Sequence, residues 1–164
     1  MSKMKRFLAG AAIAAMASTA MAAGTTNNDF TVKVTSLVSQ CSASNSGTTT
    51  IDFGTYTAFQ ASAASGGPVN LTFNCTHNFA PTGAVFDTTN GNAAGAGVLT
   101  GLQYQLSIGA PSTVAGAAPT LTTGAGADVV TYAITGSMAS GQAGQCATST
   151  CGPASHTRTL IVSF

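Results

Sequence analysis

Residues 69–76 read VNLTFNCT, a run in which apolar and polar side chains alternate. Alternation with a period of two is typical of a β-strand that buries one face and exposes the other. The same alternation recurs in four other segments, namely residues 30–35, 102–108, 130–134 and 160–164. A weaker strand is predicted at residues 49–53, and the Gly-, Ala-, Ser- and Thr-rich segments 61–68, 88–97, 110–127 and 137–153 are predicted to be loops. No window has a convincing helical period, so the pattern predicts an all-β sandwich or barrel.

The charge content of the chain excludes several classes of protein. Only 5% of the 164 residues are charged, and the four acidic residues are all Asp. After Arg6 the only basic residues are Lys33 and Arg158, too few for a surface that neutralises nucleic-acid phosphates. A coiled coil or helix bundle needs Glu, Lys and Arg on its solvated faces, and this chain lacks them. No nucleic-acid partner is therefore expected.

The N-terminal residues have the organisation of a secretory signal peptide. Residues 1–6 carry the positive charges, residues 7–17 are apolar, and residues 18–23 are mostly small. The apolar run is too short to span a bilayer, which argues against the alternative of an uncleaved anchor helix. We predict that residues 1–23 are a signal peptide cleaved after Ala22 or Ala23, and that the protein is exported.

Four cysteines remain in the exported chain: Cys41, Cys75, Cys146 and Cys151. An even number of cysteines in an oxidising compartment favours disulfides. Three connectivities are possible, and the most local one joins the first two cysteines and the last two. The alternative is a zinc site that uses Cys146, Cys151 and His156, with His77 as a fourth ligand, but this spacing is loose and exported thiols tend to oxidise.

The sequence contains no recognisable catalytic constellation. Its only imidazoles are His77 and His156, and no Gly-x-Ser-x-Gly motif is present. The four Asp residues lie in four separate segments, and nothing in the sequence pairs them as glycosidase chemistry requires. We predict no enzymatic activity, no catalytic residue, no metal site and no cofactor.

Both ends of the exported chain are alternating β segments. Phe30–Thr35 follows a short polar lead and precedes the first cysteine, and the last predicted strand ends on Phe164. Either segment can lie inside a self-contained sandwich. Alternatively, one of them pairs with another molecule by strand addition, since an edge strand is a template for pairing.

In its order of segments the chain resembles the spore coat protein U domain family, the subunits of archaic chaperone–usher pili. The resemblance extends from about Asp29 to Phe164 and rests on a set of segments in a fixed order. These are a first strand, Cys41, residues 51–54 (IDFG), 69–76 (VNLTFNCT), 101–106 (GLQYQL) and the terminal residues 157–164 (TRTLIVSF).

The resemblance implies an incomplete immunoglobulin-like sandwich that lacks its last strand. A periplasmic chaperone lends a strand to such a subunit, and at the outer-membrane usher the N-terminal segment of the next subunit replaces it. The donor segment would be about Thr26–Leu37, with Phe30, Val32 and Val34 facing inward. The terminal strand, with Leu160, Val162 and Phe164, would border the groove and pair with the chaperone.

For the cysteines, the resemblance implies a disulfide between Cys41 and Cys75, and the Cys146–Cys151 pair is an addition to the family pattern. We predict both bonds.

The sequence therefore predicts a structural pilus subunit, exported through the periplasm to the cell surface, that polymerises by donor-strand exchange. Its parts would be a signal peptide (1–23), a donor-strand extension (24–37) and a pilin β-sandwich domain (38–164). Its partners would be a periplasmic chaperone, an outer-membrane usher, and copies of itself or related subunits. The alternative is a self-contained secreted β-sandwich that acts as a surface or carbohydrate-binding module.

Overall fold

The computed structural model describes residues 30–44 and 49–164. The predicted signal peptide and the first part of the predicted donor segment lie outside the described residues. The chain divides into two units, Met1–Ser36 and Leu37–Phe164. In the first unit, the described residues 30–36 contain no strand or helix and are exposed.

The second unit contains eight strands among its described residues and no helix. They are β1 (Cys41–Ala43), β2 (Ala64–Cys75), β3 (Gly83–Phe86), β4 (Ala96–Leu99), β5 (Leu102–Ile108), β6 (Ser112–Val114), β7 (Asp128–Met138) and β8 (Leu160–Ser163). The prediction of an all-β, sandwich-like fold is confirmed. The described residues contain no helix that is long and apolar enough to cross a membrane.

The larger sheet has the strand order β1-β2-β7-β5-β4, with β6 also paired to β7. All of its pairings are antiparallel, and the long strands β2 and β7 form its centre. The register places Val69 opposite Ile134 and shifts between Gly66 and Val69. Pro68, which has no N–H to donate, lies at this irregularity, where a ladder hydrogen bond is not required.

The smaller sheet consists of β3 and β8, with Ala84 opposite Val162 and Phe86 opposite Leu160. Among the described residues β8 pairs with no other strand, so its second edge is open. Val85 and Ile161 lie opposite each other on the outer face and are 45% and 47% exposed. The other face of the pair, with Leu160 and Val162, packs against the core.

Burial alternates along β7, as expected for a strand with one face in the core. Val130, Tyr132, Ile134 and Met138 are at most 3% exposed. The remaining buried apolar side chains come from β2, β3 and β5: Val69, Cys75, Phe86, Tyr104 and Leu106. The core therefore lies on the inner face of the larger sheet and is shared with β3.

The connection between β6 and β7, residues 115–127, folds back on itself. Gly126 donates its N–H to the carbonyl of Ala117 at 2.8 Å, and Thr120 donates to the carbonyl of Thr123 at 2.8 Å. Leu121, at the tip, is fully exposed. The connection is thus a closed hairpin-like loop whose ends are held together by main-chain hydrogen bonds.

The strand predictions succeed for four of the five alternating segments, whereas the prediction of a half-buried strand at residues 30–35 is wrong, because these residues are exposed and form no strand. The predicted bounds 102–108 are those of β5, and the segments 69–76, 130–134 and 160–164 lie largely within β2, β7 and β8. The prediction of a strand at residues 49–53 is wrong, because this segment has no ladder partner even though Ile51 and Phe53 pack against the core. All four predicted loops are wrong in part. The segments 61–68, 88–97, 110–127 and 137–153 contain the start of β2, part of β4, all of β6 and the end of β7, respectively.

Candidate strand-acceptor groove

A large open cavity, of about 1380 Å³, lies against the inner face of the larger sheet. Its apolar lining includes side chains of β2, β3, β5 and β7, among them Val69, Leu71, Phe86, Leu106, Ile134 and Met138. Two segments without regular structure also line it, residues 49–58 and the connection that leads into β8. We call this cavity the groove. Small-molecule sites usually have volumes of roughly 300–1,000 Å³, so the groove is large even for a drug-sized ligand.

The strand β8, which has an open edge, borders the groove. Leu160 lines the cavity and Val162 packs against the core, while β8 has no second strand partner among the described residues. An edge strand offers N–H and C=O groups that can pair with an added strand. Phe164, the third residue predicted to border the groove, lies beyond the end of β8 and is 54% exposed. Its ring makes an edge-on contact with the ring of Phe79, with the ring centroids 6.0 Å apart.

Close packing onto a glycine positions the segment that precedes β2. A Cβ built at Gly136 of β7 would come within 2.7 Å of the Phe53 ring and 3.0 Å of Ile51. Gly136 therefore lets these two side chains lie directly on the sheet. The Asp52 carboxylate accepts the N–H of Gly54 at 2.8 Å, which turns the chain immediately afterwards.

A buried guanidinium anchors the beginning of β8. The side chain of Arg158 is 8% exposed, and its Nε donates to Asp87 Oδ1 at 3.0 Å. Its other donors reach four oxygens: the main-chain carbonyls of Asp87, Asn92 and Ala96, and the hydroxyl of Tyr104. All five N–H groups of the guanidinium are thus used within the protein, so this cation is structural and has no donor left for a ligand.

The carboxylate of Asp87 is stabilised in its charged form. It accepts the main-chain N–H of Thr159 at 3.0 Å as well as the bond from Arg158. These two hydrogen bonds lower the pKa of Asp87 from its ordinary value of 3.8 to about 2. The ion pair joins the loop after β3 to the residues immediately before β8 and thereby fixes where the open edge begins.

A second polar cluster surrounds Asp128 at the start of β7. Asp128 is 5% exposed and accepts hydrogen bonds from the N–H of Gly116 at 2.7 Å and the N–H of Asn78 at 2.9 Å. His77 Nδ1 lies 2.8 Å from the same carboxylate. The bonds from Gly116 and then from His77 lower the pKa of Asp128. The cluster fixes the root of the 115–127 loop, because Gly116 and Asn78 both donate to the same carboxylate.

Both predicted disulfides are confirmed. Cys41 and Cys75 join β1 to β2 at directly opposed positions, and Cys75 is 1% exposed. Cys146 and Cys151 form the second bond in the connection before β8, where both residues are exposed and line the groove. Because disulfides persist in oxidising compartments, they indicate an exported environment. Among the described residues, no three His, Cys or Asp side chains are grouped where a metal ion could bind.

The predicted donor residues are displayed to solvent. Phe30, Val32 and Val34 are 86%, 85% and 77% exposed, and the neighbouring Leu37 and Val38 are 78% and 80% exposed. Residues 30–40 belong to no strand and pair with none of the described strands. Among the described residues, this alternating apolar segment therefore takes part in no sheet.

Sequence reasoning missed the two carboxylate clusters. The sequence does contain a signal for these clusters. In a chain with so few charged residues, a charged side chain is buried only where it has a partner. The partners could not be named, since Asp87 and Arg158 lie 71 residues apart and His77 and Asp128 lie 51 apart.

No family model, curated protein or solved structure matches this chain.

Proposed function

We propose that this chain is a structural subunit of a fibre that assembles by strand exchange, of the archaic chaperone–usher pilus type. A segment of one copy, from about residue 26 to residue 37, enters the groove of the next copy and pairs with the open edge of β8. The observation that carries the proposal is a large groove with apolar side chains on its floor, beside an edge of β8 that no described strand covers. The same chain exposes the alternating side chains of residues 30–35, which pair with no described strand.

The chemistry of the donor segment matches that of the groove. In an extended strand Phe30, Val32 and Val34 lie on one face, while Thr31, Lys33 and Thr35 lie on the other. The apolar face meets the apolar floor of the groove, and the only charge within residues 30–35, on Lys33, stays in water. Each apolar side chain that moves from water into the groove contributes about 1.5–3 kcal/mol.

The open groove also defines the proposed partners. A subunit that exposes a large apolar groove before assembly needs a temporary occupant, because extensive exposed apolar surface favours aggregation. A periplasmic chaperone that lends a strand fills this role, and an outer-membrane usher exchanges that strand for the donor segment of the next subunit. The product is a pilus on the cell surface.

Paired substitutions in the donor segment test the proposal. We produce residues 24–164 by periplasmic expression and compare Val32→Asp with Thr31→Asp. Val32→Asp places an unpaired carboxylate in the groove and should abolish multimers, whereas Thr31→Asp keeps its charge in solvent and should leave them. Multimers are measured by light scattering after size exclusion and by unheated denaturing gels.

Stability measurements separate the proposal from the alternative. The Val32→Asp subunit should melt at the same temperature as an isolated wild-type monomer, since its own sandwich does not use this strand. A chain that is monomeric in the wild type, and that Val32→Asp unfolds, would instead be the self-contained module. Normal multimers with Asp at both Val32 and Val34 would exclude the donor assignment.

A further inference from the structure

The connection between β7 and β8 is anchored at its two ends. Near its start, Gly141 donates its N–H to the carbonyl of Gln60 at 2.8 Å and Gln145 donates to the carbonyl of Thr100 at 2.7 Å. Near its end, the side chain of Asn90 donates to the carbonyl of Thr157 at 3.0 Å, and Arg158 follows directly. These contacts fix both ends of the connection to the sandwich.

Between the anchors the disulfide is the main restraint. The hydrogen bonds of residues 146–155 are local, such as that from Thr148 Oγ1 to the carbonyl of Thr150 at 2.8 Å, and none reaches a strand. Most of these residues nevertheless line the groove, including Cys146 and Cys151 themselves. The shape of this part of the groove wall therefore depends on the Cys146–Cys151 bond.

The two disulfides differ in their access to solvent. Cys75 is 1% exposed and its partner Cys41 is half-buried between paired strands. Cys146 and Cys151 are both exposed in a segment without regular structure. A dithiol can attack the second bond directly, whereas the first bond is less accessible because Cys75 is buried.

We propose that the disulfide-closed segment 146–151 is part of the binding surface for the donated strand of a second copy, and that its oxidation state controls how firmly that strand is held. The inference rests on the proposed function. With the bond intact, the wall is already in place when the strand enters, and less conformational entropy is lost on binding. A dithiol that transfers two electrons and two protons to the bond leaves two thiols and a wall free to move, and is itself oxidised to a disulfide.

The test uses a soluble acceptor and a labelled strand. Residues 24–164 carrying Val32→Asp provide an open groove that cannot self-assemble, and the probe is a fluorescent peptide with the sequence of residues 26–37. We compare this acceptor with one that also carries Cys146→Ser and Cys151→Ser. The peptide should leave the acceptor that lacks the Cys146–Cys151 bond about tenfold faster, because a preformed site mainly slows release.

Two controls isolate the effect of the wall. Leu121→Ser introduces a serine into an exposed loop that does not line the groove, and it should leave the release rate unchanged. Mild reduction of the original acceptor, followed by alkylation of Cys146 and Cys151 only, should reproduce the faster release without any substitution.

The outcomes separate the inference from the proposed function. An acceptor that never binds the peptide refutes the proposed function itself. Equal release rates with and without the Cys146–Cys151 bond overturn the inference alone. A lower melting temperature in the acceptor that lacks the Cys146–Cys151 bond, with an unchanged release rate, also overturns it, because the bond would then only stabilise the fold.

Discussion

Truncation of the donor side chains gives a quantitative test of which face of the segment enters the groove. Val32→Ala removes two methyl groups, each worth about 0.8 kcal/mol when buried. Val32 is 85% exposed before assembly, so nearly all of this contribution is available, and the expected loss is about 1.4 kcal/mol. This loss corresponds to about a tenfold weaker complex. Val34, at 77% exposed, should give a similar value, and the double substitution should weaken binding about a hundredfold.

The assay is a titration of fluorescent 26–37 peptides against the Val32→Asp acceptor, followed by anisotropy. Peptides with Thr31→Ala or Thr35→Ala are the matched controls, because these side chains lie on the opposite face and should change binding less than about threefold. If the threonine peptides lose as much affinity as the valine peptides, the assumed register is wrong. If none of the substitutions changes binding, the segment does not bind through its apolar face.

Three further predictions concern the folded subunit and its assemblies. The folded-state pKa of Asp87, about 2, is below its ordinary value of 3.8. The contribution of this carboxylate to stability is therefore complete above about pH 4 and is lost as the pH falls towards 2. Across this pH window the melting temperature of the wild type should fall more steeply than that of Asp87→Asn. Removal of the Cys41–Cys75 bond, which spans 34 residues, should lower the free energy of unfolding by about 4 kcal/mol. Removal of the Cys146–Cys151 bond, which spans 5 residues, should lower it by about 2 kcal/mol. Denaturant titration measures both losses, and the reverse order would contradict the chain-entropy argument. Multimers should survive molar sodium chloride in light-scattering measurements, because the proposed contacts are main-chain pairs and buried apolar groups, and dissociation by salt alone would show that charge drives assembly.

The sequence predicts best those strands in which alternation is long and one face is buried. Leu102–Ile108 has four apolar positions at regular spacing, and its predicted bounds agree with those of β5. β3 and β4 have four residues each, and both contain Gly, so they carry too few alternating positions to stand out. The error at residues 49–53 has a different cause, since Ile51 and Phe53 have the burial of a strand but no neighbour to pair with.

The groove could be expected only as the consequence of a missing strand. Its floor comes from residues that look like ordinary core positions, such as Val69 and Ile134, and nothing in their local sequence shows that one side lacks a cover. The ion pair of Arg158 with Asp87 was equally hidden, because charge pairing across 71 residues depends on the topology. The two disulfides could be predicted from the sequence because an even cysteine count is a local signal, and the alternation at residues 30–35 is likewise local.

The closed loop at residues 115–127 makes the protein a suitable carrier for foreign peptides. Its ends are joined by the Ala117–Gly126 hydrogen bond and its root is held by Asp128, while the tip at Leu121 is fully exposed and does not line the groove. Extra residues inserted at the tip only lengthen a loop that is already closed, and the entropic cost of loop closure grows slowly with length. A fibre of such subunits would then present one copy of the inserted sequence per subunit, at the regular spacing of the polymer.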